Sequence, residues 1–135
     1  MVMAKSHPLS NKAINLKTYA EQRHDLVTVT GKGQGIIDKL LSKEGLTRNV
    51  ALFVPTFHLA LDICSRTDLI FAMPRLVAEK DAERYGLVIK ELPLKMPLLD
   101  IYLYWHERQH QTALHRWFRR LMRDSVRRTK EAITA

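Results

Sequence analysis

Residues 67–120 read TDLIFAMPRLVAEKDAERYGLVIKELPLKMPLLDIYLYWHERQHQTALHRWFRR. Leu69–Met73 predicts a strand that Pro74 stops, because a proline lacks the N–H that a sheet ladder or a helix needs. Leu76–Tyr85 predicts a polar helix that ends at Gly86, and Leu87–Leu92 alternates as a strand. Pro93 and Pro97 bracket a linker that cannot be helical. Asp100–Trp105 alternates again and predicts a further strand. Leu114, Trp117, Phe118, Leu121, Met122 and Val126 then fall on one stripe of a long amphipathic helix. Strands alternating with helices predict an α/β fold with a largely parallel sheet flanked by helices.

The pattern extends toward the N-terminus. Residues 1–12 read as a polar lead-in ending near Pro8, and Ile14–Ala20 as a short helix. His24–Thr30 predicts a strand ending at the glycine loop Gly31–Gly35. Ile36, Ile37, Leu40 and Leu41 recur at helical spacing before Gly45. Arg48–Val54 predicts a strand that is apolar on both faces and therefore covered on both. Pro55-Thr56-Phe57 opens the next helix, which runs to about Arg66, with Thr56 as its N-cap.

The bulk composition narrows the classes. The chain has 135 residues, 46% hydrophobic and 27% charged, which suits one core-forming domain. The single cysteine, Cys64, lies in an apolar run; it allows no internal disulfide and reads as a buried small hydrophobe. No run reaches the roughly 18 apolar residues of a membrane span, and residues 1–7 lack a signal-peptide core. A cytoplasmic protein with no membrane contact is expected. Of the net charge of +8, a balance of +5 falls between His115 and Ala135, so the basicity is local.

Three motifs suggest chemistry. His106-Glu107-Arg108-Gln109-His110 matches the H-E-x-x-H string of zinc hydrolases, which needs both histidines on one helical face and a third ligand. Here the string follows a predicted strand and precedes a helix that starts near Gln111–Thr112. Residues at the spacing of a third ligand are Arg116, or Glu131 in a terminal turn. The string therefore reads as a surface loop rich in His and Arg, with a zinc-dependent hydrolase as the alternative. The glycine loop lacks both the dinucleotide fingerprint and the P-loop Lys-Ser/Thr pair, and reads as a turn. Arg116, Arg119, Arg120, Arg123, Arg127 and Arg128 form a basic face opposite Trp117. That face suits solvent, or, as a further alternative, a nucleic-acid-binding module. No nucleophile stands beside a base at a recognisable spacing, so neither an enzyme, a metal nor a cofactor is expected.

A quieter site lies at Pro55, Thr56 and Phe57, where a strand gives way to a helix. Ligands of open α/β sheets sit beyond the carboxyl ends of strands, and free N–H groups at a helix start favour an anion. Thr56 offers a hydroxyl and Phe57 an aromatic wall. Met73 ends the next strand and is expected to line the same crevice; ordinary capping and packing remain the open alternative.

Arg48–Phe57, Thr67–Arg75, Trp105-His106 and His115–Phe118, taken in order and spacing, resemble the latter half of a LysR-type transcriptional regulator, in the branch that includes the nodulation regulators. His24–Val29 and Asp38–Gly45 extend the likeness to about Pro8–Met122. The resemblance implies an effector-binding domain like a type 2 periplasmic binding protein, with two α/β subdomains around a ligand cleft and two chain crossings between them. Residues 8–98 would be the second regulatory subdomain. Residues 99–123 would be the return strand and helix of the first, and 124–135 a basic tail. The effector-binding positions implied are Pro55, Thr56, Phe57 and Met73, and the ligand a small organic molecule, anionic or aromatic. The family's winged helix-turn-helix, its linker helix and most of its first subdomain have no counterpart in these residues. The resemblance thus implies a truncated or split regulator that self-associates and reaches DNA only through the missing N-terminal domain.

Overall fold

The computed structural model describes residues 1–28, 35–97 and 102–134, with the side chains of 129–134 excepted. The chain divides into two compact units, Met1–Met96 and Pro97–Ala135.

The first unit is built on a five-stranded sheet of order β3-β2-β4-β1-β5. Its strands are β1 (Val2–Ala4), β2 (Arg23–Val27), β3 (Asn49–Val54), β4 (Ile70–Phe71) and β5 (Leu87–Ile89). β2 runs parallel to both β3 and β4, whereas β1 is antiparallel to β4 and β5. The sheet is thus parallel except for β1. The expectation of a polar lead-in is corrected at this strand: Met1, Val2, Met3 and Ala4 are all buried. Val2 pairs with Phe71 on one side and Ile89 on the other. Met1 N donates to Lys90 O and Lys90 N to Met1 O, both at 2.8 Å, which extends the ladder by one residue. A four-residue apolar run is too short to carry a period, and the polar Lys5-Ser6-His7-Pro8 that follows masks it.

Helices cover both faces. α1 (Leu16–Ala20) and α2 (Ile36–Lys43) lie on one, and α3 (Phe57–Arg66) and α4 (Arg75–Asp81) on the other. Met1, Met3, Tyr19, Ile37, Leu41 and Ile70 form the core beneath α1 and α2. Val2, Val54, Leu61, Cys64, Phe71, Ala78 and Leu87 form the core beneath α3 and α4. Alternation along β1 feeds both, since Met1 and Met3 point one way and Val2 the other. Asn15 caps α1 by accepting from Thr18 N at 2.8 Å. Asp38 serves the start of α2, its carboxylate accepting from Gly35 N at 2.7 Å. Gly45 and Gly86, at φ +68° and +65°, make the left-handed turns that close α2 and the stretch after α4.

Several boundaries differ from expectation. β3 is an edge strand that is not covered on both faces; Phe53 is 46% exposed and Ala51 is also exposed. Its apolar residues reflect β-propensity rather than double burial. The strand expected over Leu69–Met73 pairs only at Ile70–Phe71, and that over Leu87–Leu92 only at Leu87–Ile89. Val29 and Thr30 lie outside the described residues, as does most of the glycine loop.

In the second unit, the strand expected over Asp100–Trp105 is not formed at 102–105, which are irregular; Asp100 and Ile101 lie outside the described residues. A single strand without a neighbour cannot satisfy its backbone. The expected helix is present as α5 (Ala113–Thr134).

Candidate effector site

β2, β3 and β4 all point their carboxyl ends to the same edge of the sheet, with β2 in the middle. α2, which follows β2, packs on one face; α3 and α4, which follow β3 and β4, pack on the other. Adjacent strands whose onward helices leave to opposite faces open a crevice at their carboxyl ends. Val27 lies level with Val54, and Thr28 N donates to Val54 O at 2.9 Å. Pro55-Thr56-Phe57 and Met73-Pro74 therefore flank the end of β2 from its two sides.

Thr56 is the N-cap of α3. Its backbone is extended (φ −140°, ψ 152°), and Oγ1 accepts from Leu59 N at 3.4 Å, a long bond. The Phe57 and His58 N–H groups of the first turn have no helical partner and face the positive end of the helix dipole. Pro55, Thr56 and Phe57 are all exposed, Phe57 by 36%. The Phe57 ring is held by Phe71, the last residue of β4, with centroids 6.0 Å apart and planes inclined by 41°. Met73 is half-buried and packs against the same cluster that contains Phe71. So Thr56, Phe57 and Met73 share one edge of the sheet, and Phe71 at the end of β4 supports Phe57 and belongs to the cluster on which Met73 packs.

A cleft of about 280 Å³ lies elsewhere in the first unit, between α2 and β3, with Asp38, Arg48, Leu26 and Phe53 in its wall. Arg48, its side chain only 1% exposed, donates from Nε and Nη2 to the two carboxylate oxygens of Asp38 at 2.7 and 3.0 Å. Burial of Asp38 works against its charge, but the Arg48 hydrogen bond and charge, with the Gly35 N–H, hold its carboxyl below the usual range. The charged groups of this cleft thus satisfy one another.

Two buried polar residues of β2 escaped sequence reasoning. His24 is fully buried; its Nε2 lies 2.9 Å from Tyr19 O and its ring meets that of Tyr19 edge-on at 4.7 Å. Burial, reinforced by the nearby positive Arg48, pushes the imidazole down to about 4. Asp25, 1% exposed, faces the opposite core, and neither carboxylate oxygen has a hydrogen-bond partner in bonding geometry. Burial pushes it up to about 6, offset only in part by the Leu26 N–H. Three polar residues open β2, Arg23-His24-Asp25, and nothing in their order marks the last two as buried.

The His106–His110 string forms a 3-10 turn, Glu107–Gln109, with a histidine at each end. His106 Nδ1 accepts from Arg108 N at 3.3 Å, and His110 Nδ1 accepts from the Trp105 indole at 3.2 Å. Arg119 lies over the Trp105 ring, 4.6 Å from its centroid, and donates to His110 O at 2.7 Å. The string is thus a 3-10 turn and not the α-helix that would set both histidines on one face. Among the described residues no three His, Cys, Asp or Glu side chains converge on a metal position.

A layered sheet of this order, parallel except for β1 and covered by helices on both faces, places the protein in the class of type 2 periplasmic-binding-protein-like regulatory domains. Solved structures bear this out. A transcriptional regulator from Vibrio parahaemolyticus is similar with a TM-score of 0.84 and 27% identity, covering 97% of this chain and 61% of that one. The regulatory domain of MexT, a transcriptional activator in Pseudomonas aeruginosa, gives 0.69 and 25% identity over 87% of this chain and 56% of that one. More particularly, the chain belongs to the LysR substrate binding domain family, whose model matches residues 1–127. The transcriptional activator NahR of Pseudomonas putida is 31% identical over 120 residues, which is 89% of this chain and 40% of that protein. Nodulation protein D 2 of Sinorhizobium fredii is 31% identical over 83 residues, covering 62% of this chain and 27% of that protein. The chain thus spans about two fifths of the length of NahR. No helix among the described residues is long and apolar enough to cross a membrane.

Proposed function

We propose that this chain is the effector-sensing part of a cytoplasmic LysR-type transcriptional regulator. It recognises a small organic anion or aromatic molecule through Pro55, Thr56, Phe57 and Met73. The observation that carries this reading is the start of α3. An exposed phenyl ring, anchored on Phe71, stands beside unpartnered N–H groups where the parallel strand β3 gives way to α3. An aromatic carboxylate satisfies both features at once. In this reading residues 8–98, joined by β1, are the second regulatory subdomain, 99–123 the return segment of the first, and 124–135 a basic tail. DNA contact belongs to the winged helix-turn-helix of the family, which lies outside these residues. Self-association of the chain is part of the same proposal.

The test is a two-dimensional NMR titration with benzoate and, as a neutral control, benzyl alcohol. Benzoate is expected to shift the amides of Phe57, His58 and Met73 in fast exchange, because this crevice has one wall, and the shifts are expected to vanish in Phe57→Ala. Benzoate shifts confined to α2 and β3, or none at all, would refute the site. Tight one-to-one binding by the isolated monomer would refute the one-walled crevice.

A further inference from the structure

Asp25 sits where an ordinary core has a hydrophobe. It pairs across the sheet with Leu52 on β3 and Phe71 on β4, and all three point toward α3. The layer above it is Ala60, Leu61 and Cys64 of α3, each fully buried. Among the described residues neither carboxylate oxygen has a hydrogen bond of good geometry, the Leu26 N–H beside it giving only partial relief. The titratable and charged groups around it are few. From α3 the Cys64 thiol faces it, a thiol that burial, and next the charge of Asp25 itself, push up to about 12, so that it stays neutral. From β3 and β4 only Leu52 and Phe71 face it. His24, next along β2, points to the opposite core against Tyr19. His58 of α3 and Asp81 of α4 lie 3.8 Å apart toward the outside, with the His58 side chain 68% exposed. Among the described residues no neighbouring cation contributes to the titration of Asp25. A charge left in such a layer is relieved only by admitting water, and the element that can lift is the helix above it.

We infer that Asp25 is a proton-operated latch under α3: protonated, it lets the helix seat on the sheet, and ionised, it loosens that helix. The chemistry is a simple proton dissociation from the carboxyl to solvent, with no other reactant. Burial favours the neutral acid and moves its titration up to about 6, inside the range a cytoplasm or an acidified medium spans. Thr56 and Phe57 ride on the first turn of α3, and Phe57 leans on Phe71, the cross-strand neighbour of Asp25. The latch therefore bears on the crevice: an anion at the α3 start and a charge at Asp25 oppose one another. That consequence rests on the proposed effector site; the seating of α3 does not.

The experiment is amide hydrogen exchange along α3, compared with its intrinsic rate, at about pH 5 and about pH 7.5 with no ligand added. Protection of Leu61–Arg66 in the wild type is expected to fall about tenfold between the two, the fraction set by a carboxyl that titrates near 6 in place and near its ordinary value when open. In Asp25→Asn, which preserves shape, protection is expected to be the same at both values. Equal protection of α3 in the wild type, or a fall that persists in Asp25→Asn, overturns the latch. Direct carbon-13 NMR titration of the Asp25 carboxyl in the wild type guards against a variant that fails to fold: a midpoint in the ordinary aspartate range also overturns it. Because no effector is present, failure of the proposed effector site leaves these outcomes unchanged. With benzoate added, weaker binding at the higher pH that Asp25→Asn abolishes reports on the link between the two.

Discussion

At the scale of single residues, the neighbours His24 and Asp25 make the pH dependence of folding a difference of two opposed contributions. His24 titrates near 4 in the fold and 6.5 when unfolded, so the unfolded chain takes up a proton first, and stability is lost as pH falls from 6.5 toward 4. Asp25 titrates near 6 in the fold and 3.8 when unfolded, so it penalises the fold above 6 and that penalty is lifted as pH falls toward 3.8. At about 1.4 kcal/mol per pKa unit each contribution is about 3 kcal/mol, and over the same window they nearly cancel. Urea unfolding of the wild type is therefore expected to change little between about pH 7 and pH 4. Asp25→Asn should lose about 3 kcal/mol over that range, while His24→Gln should gain a similar amount relative to its own neutral value. Parallel profiles for the two variants would show that neither group titrates as its burial requires. Asp38 acts differently, since its carboxyl is held low by Arg48 and contributes stability that is lost only below the usual carboxylate range. Asp38→Ala strands a guanidinium that is 1% exposed and frees Gly35 N–H, and should cost about 3–5 kcal/mol in the same assay.

At the scale of elements, β1 and α3 carry the most weight. β5 is hydrogen-bonded to the sheet only through β1, and β4 uses β1 for its second edge. Met3→Ala empties a fully buried site and should cost about 2–5 kcal/mol. Removal of residues 1–4 should abolish the dispersed amide spectrum of the first unit. Thr56→Ala removes a long capping bond and should cost less, about 0.5–1 kcal/mol, since a 3.4 Å bond is weak. The elements legible from sequence were those with enough residues to show a period or a cap. α3 is legible from Thr56 to Arg66, and α2 from its isoleucines and leucines to Gly45. β1 is not, because Met-Val-Met-Ala has no room for alternation and both its faces are buried. The exposure of β3 was hidden for a related reason: a run of Val, Ala, Leu, Phe and Val reads alike at the centre of a sheet and at its edge. The irregular course of 102–105 has another cause, since alternation supplies a strand only where a neighbouring strand can pair with it.

At the scale of the whole molecule, charge and apolar surface on α5 set two readings against each other. Trp117, Phe118, Leu121, Met122 and Val126 are between 39% and 64% exposed along one stripe. The segment from His115 onward carries +5 of the chain's +8. If the stripe is the working surface, two chains meet through it and bury apolar area against like charge. Added salt screens that repulsion, so association should strengthen between about 0.05 and 0.5 M salt. If the arginine face is the working surface and binds nucleic acid, counterion release makes binding weaken steeply over the same range. The sign of the salt effect separates the two. Sedimentation velocity should show the weight-average mass rising with salt and with protein concentration, and Trp117→Lys with Leu121→Lys should hold the chain monomeric throughout. Neutralising Arg119, Arg120 and Arg123 should promote association at low salt, because it removes the repulsion and leaves the stripe. A chain that stays monomeric at high salt, yet binds duplex DNA at low salt and loses it when those arginines are neutralised, would show that the basic face is the working surface of α5.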